Sequence, residues 1–259
     1  YELGKLYETG CGTEKNQEKS ENCYRVAFLG FLNLEKRSKD DTLWYRIGCM
    51  YLHGIGTEAD ETKAEHYLTK ASDYGNTHAS YQLARLYIRQ ESQKLSGESG
   101  TAPDYAKIAK AVKWLEESAA QENPFADYAI GRLYREGTLV VADMEKAIFH
   151  LKRAADAGNS YAQYQLGKIY LEEEIRNIPS AIQYLTLAAK QKNQFAAYRL
   201  GKLYLAGEEL PKNTELALHY LKMAADTGNQ YAQYALGKVY LIGKDVQQDK
   251  ELAYDYFLK

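Results

Sequence analysis

The sequence predicts an all-α protein built as a solenoid, which is a row of stacked helix pairs. Two observations predict this fold. The string Tyr-x-Leu-Gly-x-(Leu/Ile/Val)-Tyr recurs along the chain at nearly constant spacing, and such self-similarity is the signature of a repeat architecture. The chain also has 24 tyrosines but only 4 prolines, as expected for a mostly helical protein in which one tyrosine-bearing motif recurs.

The glycine of this string marks the repeats. Successive copies are 44, 36, 47, 36, 34 and 36 residues apart, so the period is close to 36 residues with two insertions. Residues 1–259 are therefore predicted to form a single array of about seven units. Because the chain begins within one motif and stops within a helix, we expect it to be a fragment of a longer protein. The marker positions are Gly4, Gly48, Ala84, Gly131, Gly167, Gly201 and Gly237.

Each unit is predicted to contain two helices. The motif lies in a first helix such as Tyr161–Leu171, and a second helix follows, such as Met144–Ala157 or Thr214–Thr227. Glycine at the C′ position can end the second helix in the left-handed conformation without steric cost. Glu122 and Lys192 replace that glycine in two units, where we expect weaker caps. Gly-Asn pairs stand at Gly75–Asn76, Gly158–Asn159 and Gly228–Asn229.

Small residues on the second helix favour close helix packing. In two units the spacing of these small residues places them on one face of the helix. They are Ala147, Ala154 and Ala155 in one unit and Ala217, Ala224 and Ala225 in the other. One helix pair cannot bury its apolar face alone, so the units must stack. Two units depart from the pattern. The first has a long second helix that contains Ala27–Leu32, and the third has a Ser/Gly-rich insertion at Glu91–Pro103 that is predicted to be a flexible loop.

The segment Ala162–Tyr170, together with the closing Ala154–Asn159, resembles the Sel1-like repeat, a bacterial-type relative of the tetratricopeptide repeat. The resemblance covers essentially the whole chain. It implies a right-handed superhelical α/α solenoid of Sel1-like, tetratricopeptide-like repeats. It also implies that the first helices line the concave surface.

A helical wheel separates two faces of the first helix. With the motif glycine counted as position 8 and about 100° per residue, positions 4, 7, 8 and 11 share the side that meets the second helix. Positions 2, 5, 9 and 12 lie opposite, where a face that only meets water would be polar. Position 5 is instead tyrosine in all seven units, position 2 is aromatic in the last four, and position 9 is basic in six.

These opposite positions form what we call the aromatic–basic ladder, and we expect it to bind a partner. Tyrosine offers apolar area and a hydroxyl at low rotamer cost, and a row of Lys and Arg attracts carboxylates. Such a surface suits an extended or helical peptide with acidic and apolar side chains. The predicted binding residues are Tyr81, Arg85, Phe125, Tyr128, Arg132, Tyr161, Tyr164, Lys168, Phe195, Tyr198, Lys202, Tyr231, Tyr234 and Lys238. In the alternative interpretation the tyrosines pack neighbouring first helices together, and each basic residue is solvated or paired with a nearby Glu.

The predicted function is that of a non-catalytic protein- or peptide-binding scaffold or adaptor that uses the concave face. A second hypothesis comes from Ala27–Leu32, Asp40–Gly48 and Tyr198–Asn213, which resemble Sel1-type tails of plasmid-mobilisation relaxases. It implies an accessory C-terminal region of a DNA-processing enzyme, in which the ladder would contact single-stranded DNA. A net charge of −2 makes nucleic acid the less favoured partner. A purely structural spacer is the third hypothesis.

The remaining features point away from other classes of protein. No apolar run approaches the ~18 residues of a membrane span. The five histidines show no metal-ligand spacing, and no nucleophile–base pair is recognisable. Cys11, Cys23 and Cys49 are odd in number and are expected to be reduced thiols. We therefore expect a cytoplasmic protein that is not an enzyme and has no cofactor, catalytic residue or metal.

Overall fold

The computed structural model describes residues 1–97 and 101–258, and within these ranges every regular element is helical. A single 3₁₀ turn, Glu173–Ile175, precedes the tenth α-helix. The all-α solenoid of helix pairs predicted from the repeats is confirmed. In chain order the α-helices are α1 (Glu2–Thr9), α2 (Gln17–Glu35), α3 (Asp41–His53), α4 (Glu61–Asp73), α5 (Thr77–Ser96), α6 (Tyr105–Ala120), α7 (Pro124–Glu136), α8 (Met144–Asp156), α9 (Ser160–Ile169), α10 (Ile178–Lys190), α11 (Gln194–Ala206), α12 (Thr214–Asp226), α13 (Gln230–Ile242) and α14 (Lys250–Leu258).

The helices fall into two compact units. The first contains Tyr1–Glu122 and Thr138–Val141, and the second contains Asn123–Gly137 and the chain from Ala142 onwards. In the first unit α1 packs on α2, α3 on α4 and α5 on α6, and α4 also packs on α5. In the second unit the pairs are α7–α8, α9–α10, α11–α12 and α13–α14, and α8, α10 and α12 each pack on the first helix of the next pair.

The motif glycine lets a leucine of the second helix enter the space beside the first helix. A Cβ atom on Gly167 would lie 2.5 Å from Leu185 Cγ, and one on Gly201 would lie 2.7 Å from Leu221 Cγ. Both leucines are fully buried. In one repeat all four predicted inner positions are buried, namely Gln163, Leu166, Gly167 and Tyr170.

Asparagine and aspartate begin most of the helices. Asn159, Asn193 and Asn229 are buried and accept hydrogen bonds from the backbone N–H groups of α9, α11 and α13. Asp143 and Asn213 do the same for α8 and α12. These side chains satisfy N–H groups that have no partner within the helix. The Asn of each Gly-Asn pair therefore begins the following helix, a role that the sequence analysis did not assign to it.

The two non-glycine caps adopt the glycine conformation. Glu122 has φ 60° and Lys192 has φ 61°. Lys192 N–H donates to Ala189 O at 2.8 Å, and Asn193 N–H donates to Ala188 O at 3.1 Å. Gly158 and Asn159 make the equivalent bonds after α8. The cap geometry is thus maintained without glycine. It has a steric cost, because a residue with a Cβ atom adopts the left-handed conformation.

The flexible loop predicted for Glu91–Pro103 is wrong for its first part. Helix α5 continues through Ser96, and residues 98–100 of the insertion lie outside the described residues. The physical reason is Glu91, whose side chain is fully buried. Its carboxylate accepts hydrogen bonds from Lys94 Nζ at 2.8 Å and from the backbone N–H of Asp104 at 2.7 Å.

The predicted long second helix of the first repeat is confirmed by the 19 residues of α2.

Candidate functional site

The aromatic–basic ladder occupies the first helices of the repeats. Twelve of its fourteen predicted residues lie in the second unit, three on each of α7, α9, α11 and α13. Tyr81 and Arg85 lie on α5 of the first unit. The second unit therefore carries the larger continuous part of the predicted site.

Position-5 tyrosines contact the position-2 aromatic ring of the next repeat. Ring centroids are 6.2 Å apart for Tyr128 and Tyr161. The same distance is 5.9 Å for Tyr164 and Phe195. For Tyr198 and Tyr231 it is 6.1 Å. Packing between first helices, the alternative interpretation of these tyrosines, thus occupies part of each ring surface.

The position-2 rings keep much of their surface in contact with solvent despite these contacts. Their exposed fractions run from 44% for Phe195 to 71% for Tyr231, with Phe125 and Tyr161 in between. Large aromatic residues are favoured at interfaces because they combine contact area with few rotatable bonds. The rings therefore pack on one side and leave a repeated apolar surface on the other.

The basic residues of the ladder divide into two groups. Arg132 is compensated within its own helix, since its guanidinium donates to Glu136 at 2.9 and 2.5 Å. Within residues 1–97 and 101–258, no carboxylate lies at ion-pair distance from Arg85, Lys168, Lys202 or Lys238. Three of these four stack over the tyrosine one turn earlier, at 5.7 Å for Arg85, 5.8 Å for Lys168 and 5.6 Å for Lys238. Such contacts leave the positive charge available to an external carboxylate.

Two tyrosines of the ladder, Tyr164 and Tyr81, are held in the neutral, hydrogen-bonding form. Burial raises the pKa of Tyr164 and of Tyr81 above the ordinary tyrosine value, although nearby arginines oppose the shift. A protonated phenol can both donate and accept a hydrogen bond. The ladder thus offers hydroxyl groups, ring surface and unpaired cations side by side.

A second set of aromatic contacts was missed by the sequence analysis. Within several repeats a tyrosine near the end of the first helix stacks on a tyrosine of the second, with nearly parallel rings. Examples are Tyr204 with Tyr220 at 6.1 Å and Tyr240 with Tyr256 at 6.0 Å. The spacing of 16 residues between these partners, visible also for Tyr51 and Tyr67, was the available signal. At least eight of the 24 tyrosines therefore pack within helix pairs.

His150 is partly buried and has a carboxylate partner, which the spacing of the histidines did not indicate. Its Nδ1 atom lies 2.8 Å from Oδ1 of Asp127, a buried carboxylate that also faces Arg153 at 3.5 Å. Asp127 occupies an inner position of α7, where other repeats carry Gln163 and Gln233. An acidic residue at an otherwise buried position was the signal for this pair.

In the described part of the chain no group of three or more His, Cys, Asp or Glu side chains could hold a metal ion. Cys11, Cys23 and Cys49 are free thiols. No helix in the same ranges is both long and apolar enough to span a bilayer.

Comparison with known proteins identifies the repeat. The Sel1 repeat model matches residues 1–28, 45–76, 77–123, 124–159, 160–193, 194–229 and 230–259. A Sel1 repeat protein from Oxalobacter formigenes is 29% identical, with a TM-score of 0.76 over 98% of this chain and 96% of that one. The uropathogenic Escherichia coli protein c5321, described as a protective antigen with an SLR fold, is 28% identical, with a TM-score of 0.70. The chain covers 51% of c5321, so it spans about half the length of that relative.

Proposed function

The chain belongs to the Sel1 repeat family, and from this membership we propose that it is a non-catalytic scaffold that binds a peptide or protein through the aromatic–basic ladder. Sel1 repeats generally serve protein interaction. The fold supplies a rigid series of first helices, and binding sites on rigid elements lose less entropy on association. We also propose a cytoplasmic location, supported by the three free thiols.

The observation that carries this proposal is the repeated juxtaposition of an exposed ring and an uncompensated cation. Phe195, Lys202 and their counterparts recur on the first helices α9, α11 and α13 of the second unit, whereas the cation of α7, Arg132, is paired with Glu136. Packing between repeats covers one side of each ring, and aromatic surface that stays exposed at regularly repeated positions favours a binding role. Lys and Arg without acidic partners make the same face complementary to an acidic ligand.

The partner best suited to this surface is an extended peptide with regularly spaced acidic residues. Successive first helices touch through their rings, whose centroids are 5.9–6.2 Å apart. We take the ~8–10 Å spacing of packed helices as the step from one repeat to the next, and a polyproline II chain rises about 3.1 Å per residue. An acidic residue at every third position of the peptide would therefore lie opposite one position-9 basic residue of the ladder in each repeat. Apolar residues between them would contact the exposed rings.

A designed peptide tests the proposal directly. The probe is a fluorescein-labelled peptide of four Glu-Leu-Pro copies, measured by fluorescence anisotropy at low salt. The triple variant Lys168→Glu, Lys202→Glu, Lys238→Glu should bind at least about tenfold more weakly, because each exposed charge pair contributes ~0.2–1 kcal/mol and reversal adds repulsion. Helical content by circular dichroism should not change.

The matched control reverses three exposed lysines outside the ladder: Lys190→Glu, Lys244→Glu and Lys250→Glu. It carries the same net charge change, so it should weaken binding less than about threefold. Equal losses in both triple variants, or no binding of the Glu-Leu-Pro probe to the wild type, would contradict the proposal. Salt-sensitive binding of labelled oligothymidylate without peptide binding would instead favour the nucleic-acid hypothesis.

A further inference from the structure

Helices α9 and α11 bring uncompensated positive charge together around Tyr164. Lys168 on α9 is half-buried, and its pKa is lowered first by burial and then by the positive charges of Arg135 and Arg199. The same two arginines act on Tyr164. Glu172 partly offsets this charge, but its carboxylate already accepts from Arg135 Nη2 at 2.6 Å. An additional carboxylate placed here would reduce the repulsion among these cations.

An open cavity of about 210 Å³ lies on α11 next to these cations. Its apolar lining comes from Tyr198, Leu203 and Ala206, and its basic lining from Arg199 and Lys202. Glu208 and Glu209 close one side, and Glu209 is already paired with Arg176. Small-molecule sites usually measure ~300–1,000 Å³. This cavity is smaller and suits one side chain of a larger partner.

We propose that this place is the specificity-determining subsite of the ladder, and we call it the α9–α11 subsite. It consists of Lys168, Arg199 and Lys202 with the apolar cavity on α11. One leucine-sized side chain of an extended acidic peptide enters the cavity, and the neighbouring carboxylate of the peptide pairs with the three cations. This assignment rests on the proposed function, since it names where on the ladder the peptide gains its selectivity.

A single residue distinguishes this place from the other first helices of the second unit. Arg199 lies two residues before its motif glycine, where the other repeats of this unit carry Ala129, Gln165 and Ala235. Lys238 has a similar ladder position on α13, but residue 235 beside it adds no charge. The α9–α11 subsite thus combines uncompensated basic groups from two repeats with a neighbouring cavity.

The charge arm of the test compares two double variants with the four-copy Glu-Leu-Pro probe. Arg199→Glu with Lys202→Glu should raise Kd by about tenfold or more, because central, partly desolvated contacts dominate binding. Lys238→Glu with Lys244→Glu changes the net charge equally but removes only one ladder cation, which lies outside the subsite, so Kd should rise by a smaller factor of about three to five. All four side chains are exposed, so circular dichroism and thermal melting should match the wild type. Equal losses in the two double variants would overturn the subsite, even though the ladder would still bind the peptide.

The cavity arm leaves every charge unchanged. Wild-type protein should bind the Glu-Leu-Pro probe about tenfold more tightly than a Glu-Ala-Pro probe, since burying leucine rather than alanine gains ~0.8 kcal/mol per methylene. Ala206→Phe fills the cavity and should remove this preference while both probes still bind. If the wild type shows no preference for leucine, the cavity receives no side chain and the subsite is wrong. The triple variant Lys168→Glu, Lys202→Glu, Lys238→Glu would then still test whether the peptide binds to the ladder.

Discussion

At the ends of α6 and α10, residues with side chains take a conformation that normally favours glycine. Glu122 and Lys192 have positive φ values, and the hydrogen bonds around Lys192 match those of the Gly158 cap. A left-handed conformation costs a residue with a Cβ about 1–2 kcal/mol. The turn is nevertheless retained, because the Asn that follows must begin the next first helix. Stacking of the repeats therefore determines the backbone at these two sites.

Replacing Lys192 by glycine should stabilise the protein. The gain in the folded state is partly offset by the larger conformational freedom of glycine in the unfolded chain. The free energy of unfolding should therefore rise by about 0.5–1 kcal/mol, which urea denaturation can resolve. Lys192→Ala is the matched control, because alanine keeps the Cβ atom and should leave stability nearly unchanged. A Lys192→Gly variant no more stable than Lys192→Ala would show that the cap is unstrained.

Replacing Gly167 by alanine should destabilise the protein. The added Cβ would lie 2.5 Å from Cγ of the fully buried Leu185, and overpacking of this kind costs ~1–3 kcal/mol. Ala84 at the equivalent position of another repeat shows that a helix pair can be built around a methyl group, so the variant should still fold. Gly30 on α2 provides the control, since nothing lies within 4 Å of its added Cβ. Gly30→Ala should be neutral or stabilising in the same denaturation assay.

Among the elements, α5 shows how one buried charge can lengthen a helix. A Ser/Gly-rich composition predicts a loop from residue 91 onwards, but the Glu91 carboxylate is fully buried and accepts from Lys94 and from the Asp104 backbone. Burial alone would raise the pKa of Glu91; the hydrogen bonds from Lys94 and Asp104 outweigh burial and hold the pKa below its ordinary value. A carboxylate with a lowered pKa in the folded state stabilises the fold above the pKa of the unfolded chain.

Glu91→Gln should therefore destabilise the first unit by about 1–3 kcal/mol at neutral pH, because a buried hydrogen-bonded charge is lost. The difference from the wild type should shrink as the pH falls and the wild-type carboxylate becomes protonated. Urea denaturation at neutral and acidic pH measures both effects. Glu116→Gln, at an exposed position of α6, is the control and should change the free energy of unfolding by less than about 0.5 kcal/mol at both pH values. A difference that stays constant with pH would mean that the charge of Glu91 is unimportant.

The helix pairs could be predicted because their determinants recur in the sequence. The Leu-Gly motif and the alanines of the second helix repeat with the packing that they produce. The α5 extension could not be predicted, because it depends on a contact between Glu91 and Asp104 that occurs once. The ladder was visible as a pattern, but the division between Arg132, which Glu136 neutralises, and Lys168, Lys202 and Lys238 required side-chain geometry. The cavity on α11 could likewise be found only from the side-chain geometry.

For the whole molecule, the repeat architecture predicts that energetic effects remain local. In a stacked array the stability is close to a sum of repeat terms and nearest-neighbour terms. The second unit shows this division in its core. Leu185 and Leu221 belong to one buried cluster with Leu200 and Leu236. Leu151 belongs to a separate cluster with Leu166 and Ile169.

Pairs of glycine substitutions test this locality. Gly131→Ala pushes against Leu151, whereas Gly167→Ala and Gly201→Ala push against Leu185 and Leu221. The first and third substitutions disturb different clusters, so their effects on the free energy of unfolding should add to within ~0.3–0.5 kcal/mol. The second and third disturb the same cluster, and their coupling should exceed ~0.5 kcal/mol, because relaxation around one alanine changes the space available to the other. Equal coupling in both pairs would mean that strain spreads through the whole second unit, and the ladder could then not be treated as a series of independent positions.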